Sequence, residues 1–160
     1  MLVQHRFLVF FLLPMAVQDF HYLLPTQLFM LLPQVMKEMI LTQQCFLATV
    51  STEGVPNNAP KRSTRVFDDE TLIFNEGTGG LTFRNILDGS KVAIAVVNRE
   101  VLDGYRFLGT PEVLTSGEIY DKAAEAATKA NMPKPKAAIL VHIDEIFSLK
   151  PGPGAGKKIV

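Results

Sequence analysis

The sequence contains few of the residues that disulfides, metal centres and nucleic-acid surfaces require. Its 160 residues include one cysteine, three histidines and no tryptophan, and 16 basic residues balance 16 acidic ones. The single cysteine, Cys45, excludes an intrachain disulfide and a cysteine-rich zinc site. His5, His21 and His142 lack the spacing of metal ligands, and the balanced charge provides no basic surface for nucleic acid. We therefore predict no metal site and no nucleic-acid partner.

The beginning of the chain is almost free of charge. Only Arg6 and Asp19 are charged in residues 1–29, which form an atypical apolar extension. A signal peptide would have this composition but also a clear cleavage site of small residues, and a transmembrane helix would need about 20 apolar residues in a row. We favour a third interpretation, in which the segment is not part of the natural protein and the native start is Met30 or Met36. Membrane contact is then expected only if residues 1–29 are native.

A glycine-rich stretch in the middle of the chain is the first candidate for a ligand site. Residues 75–85 read Asn-Glu-Gly-Thr-Gly-Gly-Leu-Thr-Phe-Arg-Asn, between a strand pattern and a helix pattern. Glycines let backbone N–H groups approach a ligand, and a helix start adds free donors and partial positive charge. The stretch is therefore either a phosphate cradle or a turn that only connects the two elements. It has neither the spacing of a Rossmann fingerprint nor that of a Walker A loop.

Three cations, Lys61, Arg62 and Arg65, lie one hairpin before the glycine-rich stretch. They belong to residues 55–67, which we predict to be one strand with two prolines. Because alternate residues of a strand share a face, Lys61, Ser63 and Arg65 would project together. A solvated strand face is the simplest explanation of such charges, but the hairpin would also bring Arg65 close to residues 75–82.

The order of the elements predicts the fold class. Residues 30–160 contain six strand patterns, joined mostly by short turns, and three helix patterns, without the strand–helix alternation of a doubly wound sheet. We predict one domain of mainly β structure with flanking helices (α+β), built as a closed or partly closed six-stranded antiparallel barrel.

An ordered series of segments resembles the pyridoxamine 5′-phosphate oxidase-like family of FMN-binding split β-barrels. It begins with residues 46–57, FLATVSTEGVPN, and residues 59–74, APKRSTRVFDDETLIF. Further similar segments are residues 82–85, 91–93, 104–110, 112–117 and 148–153. The resemblance covers about residues 31–160 and implies a split barrel of the FMN-binding type.

The resemblance also implies a homodimer with FMN at the subunit interface. Its pattern assigns cofactor binding to Pro60, Lys61, Arg62, Ser63, Arg65, Asn75, Glu76, Gly80, Leu81 and Thr82. Within this set Lys61 and Ser63 would contact the edge of the flavin ring, whereas Arg65 and Thr82 would hold the phosphate. No side chain is identified as a catalytic acid or base.

Two departures from the family pattern limit the functional prediction. Leu81 stands where many relatives have a lysine or arginine, and losing one phosphate cation weakens binding by roughly 1–3 kcal/mol. The sequence also lacks the C-terminal segment with which true pyridoxamine phosphate oxidases hold their substrate. We therefore expect a cytoplasmic FMN-dependent oxidoreductase other than that oxidase, of unknown substrate. It would transfer a hydride or electrons through flavin N5, with NAD(P)H or another small molecule as donor. The alternative is a non-catalytic module that binds flavin, a deazaflavin or haem for electron transfer, storage or sensing.

Overall fold

The computed structural model describes residues 31–160, so the interpretations of residues 1–29 lie outside the described part. The described helices are α1 (Gln34–Thr42), α2 (Leu81–Leu87) and α3 (Glu118–Lys129). The strands are β1 (Cys45–Val50), β2 (Pro56–Pro60), β3 (Arg65–Val66), β4 (Thr71–Glu76), β5 (Val92–Asn98), β6 (Asp103–Leu114) and β7 (Ala137–Ser148). None of the helices in residues 31–160 is long and apolar enough to cross a membrane.

All seven strands belong to one antiparallel sheet in the order β2-β1-β5-β6-β7-β4-β3. The two edge strands, β2 and β3, follow each other in the chain and are joined only by residues 61–64. Because four residues span little distance, the sheet has to curl until its edges approach each other. The predicted fold class is confirmed: the domain is a partly closed antiparallel barrel with helices packed against it.

The predicted count of six strands is wrong by one, because residues 55–67 form two strands instead of one. The N–H of Lys61 makes the last bond to β1, at Cys45 O. The chain then turns, and the N–H and hydroxyl of Thr64 both bond Lys61 O, at 3.1 and 2.8 Å. After this turn β3 pairs with β4. The prediction that Lys61, Ser63 and Arg65 share one strand face is therefore also wrong.

The core fills the inside of the barrel with alternate residues of the strands. Its most buried members include Leu47, Leu72, Phe74, Val92, Ile94, Val96, Phe107, Ile139, Val141 and Ile146. Helix α1 adds Met36, Met39 and Ile40 to this core. Cys45 is buried among them, and burial raises the pKa of its thiol to about 11. It is therefore a packed, un-ionised thiol at neutral pH.

Strand β4 is buried on both faces, and its two faces separate Glu76 from Arg65. Leu72 and Phe74 belong to the main core, whereas Ile73 packs in a second cluster with residues of α3. Because side chains alternate along a strand, Glu76 shares the inner face with Leu72 and Phe74. Arg65 is the cross-strand partner of Ile73 and therefore lies on the outer face, next to α3.

Candidate functional site

The carboxylate of Glu76 is enclosed by the glycine-rich loop. Glu76 ends β4, and only 1% of the residue is exposed. Its Oε1 accepts the backbone N–H groups of Thr78 and Gly79, each at 2.9 Å, and the Thr78 hydroxyl at 3.0 Å. The N–H of Gly80 in turn bonds the Thr78 hydroxyl oxygen at 3.2 Å. The N–H groups of Thr78, Gly79 and Gly80 are thus engaged within the loop.

Lys61 supplies the counter-charge of Glu76. Its Nζ lies 2.5 Å from Glu76 Oε2 and 5.2 Å from the centre of the Phe74 ring, and its side chain is 13% exposed. Burial alone would raise the pKa of Glu76. The hydrogen bond and charge of Lys61, together with the Gly79 N–H and the Thr78 hydroxyl, outweigh burial and hold that pKa below its ordinary value. Glu76 is therefore ionised at neutral pH.

The outer side of β4 carries a second group of polar residues around Asn75. The hydroxyl oxygen of Ser63 accepts the Asn75 N–H at 3.0 Å, and the hydroxyl donates to Asn75 O at 3.4 Å. Nη1 of Arg65 donates to Ser63 O at 3.0 Å and to Asn75 Oδ1 at 3.5 Å. These contacts fasten the turn of residues 61–64 to β4. They also place Arg65 beside the first residue of the 75–82 stretch, as the sequence predicts.

Arg65 is a partly buried cation without a counter-charge. No carboxylate within residues 31–160 pairs with it, and both of its hydrogen bonds start from Nη1. Burial lowers the pKa of Arg65, although a guanidinium stays charged at neutral pH. Arg65 lines a groove of about 380 Å³ between the β3–β4 edge and α3. The other lining residues are Val66, Phe67, Ile73, Ile119, Ala123, Ala126 and the paired Glu118 and Lys122.

The start of α2 is fixed by a buried polar network. Oγ1 of Thr82, a residue only 6% exposed, accepts a hydrogen bond from Asn57 Nδ2 at 3.0 Å. Oγ1 of Thr49 accepts from Asn57 at 3.3 Å and from Asn85 at 3.0 Å. Since Thr49 is in β1 and Asn57 in β2, the network holds α2 against the first hairpin. The hydroxyl oxygen of Thr82 thereby helps to hold α2 in place.

A second groove, of about 260 Å³, lies beside Leu81. It is lined by Ser51, Glu53, Val55, Pro56, Asn57, Leu81 and Asn85. Glu53 is the one charged residue in this lining, so the groove contains no cation that could bind an anion. Arg65 and Leu81 therefore line different grooves, and the structure does not bring Arg65 and the start of α2 into one pocket.

The remaining predicted residues are spread around these two places. Pro60 ends β2 and is exposed. Arg62 is exposed on the turn and makes no ion pair within the described part of the chain. Gly80 is the N-cap residue of α2 and makes no side-chain cap. The assignment of these residues to a cofactor stays a prediction.

Several residues that shape the site were not among the predicted site residues. Lys136 braces the glycine-rich loop: its N–H donates to Glu76 O at 2.7 Å and its Nζ to Thr78 O at 3.0 Å. Asn57 and Asn85 hold α2 through Thr49. These partners are distant in sequence, and single amides or lysines carry no spacing that would connect them.

The donor groups fit FMN at Arg65 and not in the glycine-rich loop. An uncompensated guanidinium beside an apolar groove suits a phosphate attached to a planar apolar ring. The loop N–H groups of Thr78, Gly79 and Gly80 are filled by acceptors of the chain itself.

Comparisons with known proteins agree with this fold. Residues 32–150 match the family profile described as pyridoxamine 5′-phosphate oxidase. MJ0282, an uncharacterized protein of Methanocaldococcus jannaschii, is 42% identical over 118 residues, which are 71% of this chain and 78% of that protein.

Solved structures show the same similarity. The structure of HupZ from Group A Streptococcus is 46% identical and superposes with a TM-score of 0.71, covering 78% of this chain and 99% of HupZ. An FMN-binding protein from Syntrophomonas wolfei is 21% identical with a TM-score of 0.62, covering 73% of this chain and 85% of its own. At this identity the second likeness concerns the fold alone.

Proposed function

Because the chain belongs to the pyridoxamine 5′-phosphate oxidase family, we propose that it binds FMN and acts as a flavin-dependent oxidoreductase. The fold of an FMN-binding protein from Syntrophomonas wolfei supports the choice of flavin. The observation that carries the proposal is Arg65, a partly buried cation without a carboxylate partner in residues 31–160, which lines a groove of about 380 Å³. Such a groove lies within the size range of small-molecule sites.

Each residue at this place has a separate task in the proposal. Arg65 binds the phosphate through the donors that Ser63 and Asn75 leave free. Lys61 and Ser63 position the turn of residues 61–64, because Glu76 and Asn75 already engage their polar atoms. We therefore replace the ring-edge contacts expected from the sequence with a positioning role. When bound, FMN would supply hydride and electron transfer, for which a protein provides binding and orientation.

A homodimer is part of the proposal, and an apolar outer face of the sheet supports it. The outward side chains of β1 and β5 include no charged residue, because Phe46, Val50 and Val97 alternate with alanines there. Phe46 and Val50 are each 45% exposed and Val97 is 51% exposed. A second copy of the chain would bury this face, whose small residues allow close approach of another sheet.

The test of the function is flavin binding followed by reduction. The full chain is titrated with FMN and then mixed with NADH or NADPH while the flavin absorbance is recorded. Bleaching by either nucleotide supports an oxidoreductase with such a donor. A flavin-loaded protein that neither nucleotide reduces favours the binding module over an oxidoreductase with a nicotinamide donor, and preference for a deazaflavin or haem over FMN contradicts the cofactor. A cytoplasmic location remains a prediction from the sequence.

A further inference from the structure

We propose that Glu76 is a built-in anion that occupies the oxyanion position of the glycine-rich loop, so that an external phosphate is excluded from the Thr78 and Gly79 N–H groups and Arg65, outside the loop, distinguishes FMN from riboflavin. The inference rests on the proposed flavin function and deepens it, since it names Glu76 as the residue that keeps phosphate out of the glycine-rich loop. The part that concerns Glu76 and the loop can be tested on the chain without any cofactor.

The contacts of Glu76 are those that an external oxyanion would make. One carboxylate oxygen receives two backbone N–H groups and one hydroxyl, and the other receives an ammonium group. Successive N–H groups of a glycine-containing turn are a common cradle for phosphate. Gly79 has φ +69°, and a Cβ there would lie 2.8 Å from Lys136 Nζ. The side chain of Lys136 therefore packs directly against the loop at Gly79.

The Glu76 carboxylate itself opposes a second anion in the loop. Lys61 is the one cation that pairs with Glu76 in the described chain, and the ammonium of Lys136, the other cation at the loop, donates to Thr78 O. A phosphate that entered the loop would meet the carboxylate at close range, where like charges repel strongly when both are shielded from water. An external phosphate therefore has to displace Glu76 before the loop can bind it.

The groove next to the loop points the same way on independent grounds. Leu81 occupies the first position of α2 and is 55% exposed, and Glu53 is the one charged residue lining the groove beside it. Neither residue attracts a phosphate. Arg65, on the other face of β4, is a partly buried cation that lines a groove and forms no ion pair in residues 31–160.

Two substitutions separate the charge of Glu76 from its occupancy of the loop. Glu76→Gln frees Lys61 but keeps an amide oxygen in the loop, whereas Glu76→Ala frees Lys61 and also empties the N–H groups. The melting temperature of each full chain is measured against inorganic phosphate, with chloride at equal ionic strength as control. We expect phosphate to raise the melting temperature of Glu76→Ala specifically, and to change wild type and Glu76→Gln no more than chloride does.

The outcomes of the phosphate experiment are decisive in both directions. An equal phosphate effect on wild type would show that the loop already accepts an external anion, and no effect on Glu76→Ala would show that it is no anion cradle. Either result overturns the proposal. The phosphate experiment contains no flavin, so it tests the role of Glu76 even if the protein binds no FMN. In that case the proposed function fails, whereas the role of Glu76 in the loop does not.

A second arm uses the wild-type loop and so does not depend on the folding of a Glu76 variant. Arg65→Ala is titrated with FMN and with riboflavin. If Arg65 is the sole reader of the phosphate, its removal lowers any preference for FMN from about 10- to 100-fold, the effect of one charged hydrogen bond, to less than about twofold. A preference of about tenfold or more that survives in Arg65→Ala contradicts the inference.

Discussion

Lys61 and Glu76 form an ion pair with Nζ 2.5 Å from Oε2, and this pair connects the two edges of the curled sheet. Lys61 directly follows the edge strand β2, while Glu76 ends β4, the neighbour of the other edge strand β3. The pair therefore connects the two sides of the barrel where the edge strands β2 and β3 do not pair with each other. Glu76 also accepts hydrogen bonds from the glycine-rich loop and so holds the loop in place.

Removing Lys61 should strongly destabilise the fold. In Lys61→Met the carboxylate of Glu76 stays buried without its cation, and breaking a buried pair in this way costs about 3–5 kcal/mol. Urea unfolding of the full chain measures the change. The matched control is Lys91→Met, because Lys91 pairs with Asp144 at the surface, where a pair contributes about 0–1 kcal/mol. Similar losses in the two variants would mean that the Lys61–Glu76 pair does not hold the barrel together.

The same pair predicts a dependence of stability on pH. The pKa of Glu76 is lowered by Lys61, Gly79 and Thr78 against the opposing effect of burial. A carboxyl group whose pKa is lower in the folded state stabilises the fold above its ordinary pKa of 4.5 and loses that contribution as the pH falls further. We expect the free energy of unfolding of wild type to fall in this acidic range more steeply than that of Glu76→Gln. Parallel pH profiles would rule out this role of Glu76.

Arg65→Ala should weaken FMN binding by about 10- to 100-fold, because one charged hydrogen-bonding partner of the phosphate is lost. Riboflavin should be affected much less, because it has no phosphate. Arg62→Ala is the control, since Arg62 is exposed and makes no ion pair in residues 31–160. Flavin fluorescence titrations measure both ligands. If Arg62→Ala is the more damaging variant for FMN, the phosphate contact has been assigned to the wrong arginine.

Gly109→Ala should distort the pairing of β6 with β7. The register shifts between Leu108 and Gly109, and a Cβ on Gly109 would lie 2.5 Å from the carbonyl oxygen of His142. Overpacking of this kind costs about 1–3 kcal/mol. Gly77→Ala serves as the control, because nothing lies within 4 Å of a Cβ there. Thermal unfolding should separate the two variants, and equal melting temperatures would show that the strands can move apart without cost.

Phe46→Glu should convert a dimer into a monomer if the apolar outer face of β1 and β5 is the interface. The substitution places a charge on a face that otherwise has none, and burying an unpaired charge is costly. Leu41→Glu is a suitable control, since Leu41 is 81% exposed on α1. Light scattering measures the mass of each protein in solution. A dimer that persists in Phe46→Glu places the interface elsewhere.

Local sequence patterns were sufficient for most of the fold. The apolar pattern predicts a helix from Leu81 to Leu87, and α2 has these bounds. The sequence also predicts strands at residues 91–97, 104–114 and 136–149, and β5, β6 and β7 each begin and end within one residue of these positions. Elements of this kind are specified by their own residues and need no distant contact to be recognised.

The candidate site was less predictable, because it depends on contacts between distant residues. The two prolines of residues 55–67 suggested a bend, but only pairing with two different partners, β1 and β4, shows where one strand becomes two. Likewise the glycine-rich loop has the composition of a phosphate cradle. Glu76 fills this loop because it lies on the inward face of β4 and pairs with Lys61. The sequence of the loop alone reveals neither of these facts.

Titration of the full chain with FMN, followed by flavin fluorescence and visible absorbance, tests the central claim most directly. We expect saturable binding of one FMN per chain, an absorption spectrum typical of a bound flavin, and binding that weakens when Arg65 is replaced by alanine. A colourless protein that does not bind added FMN at any concentration would contradict the proposed function.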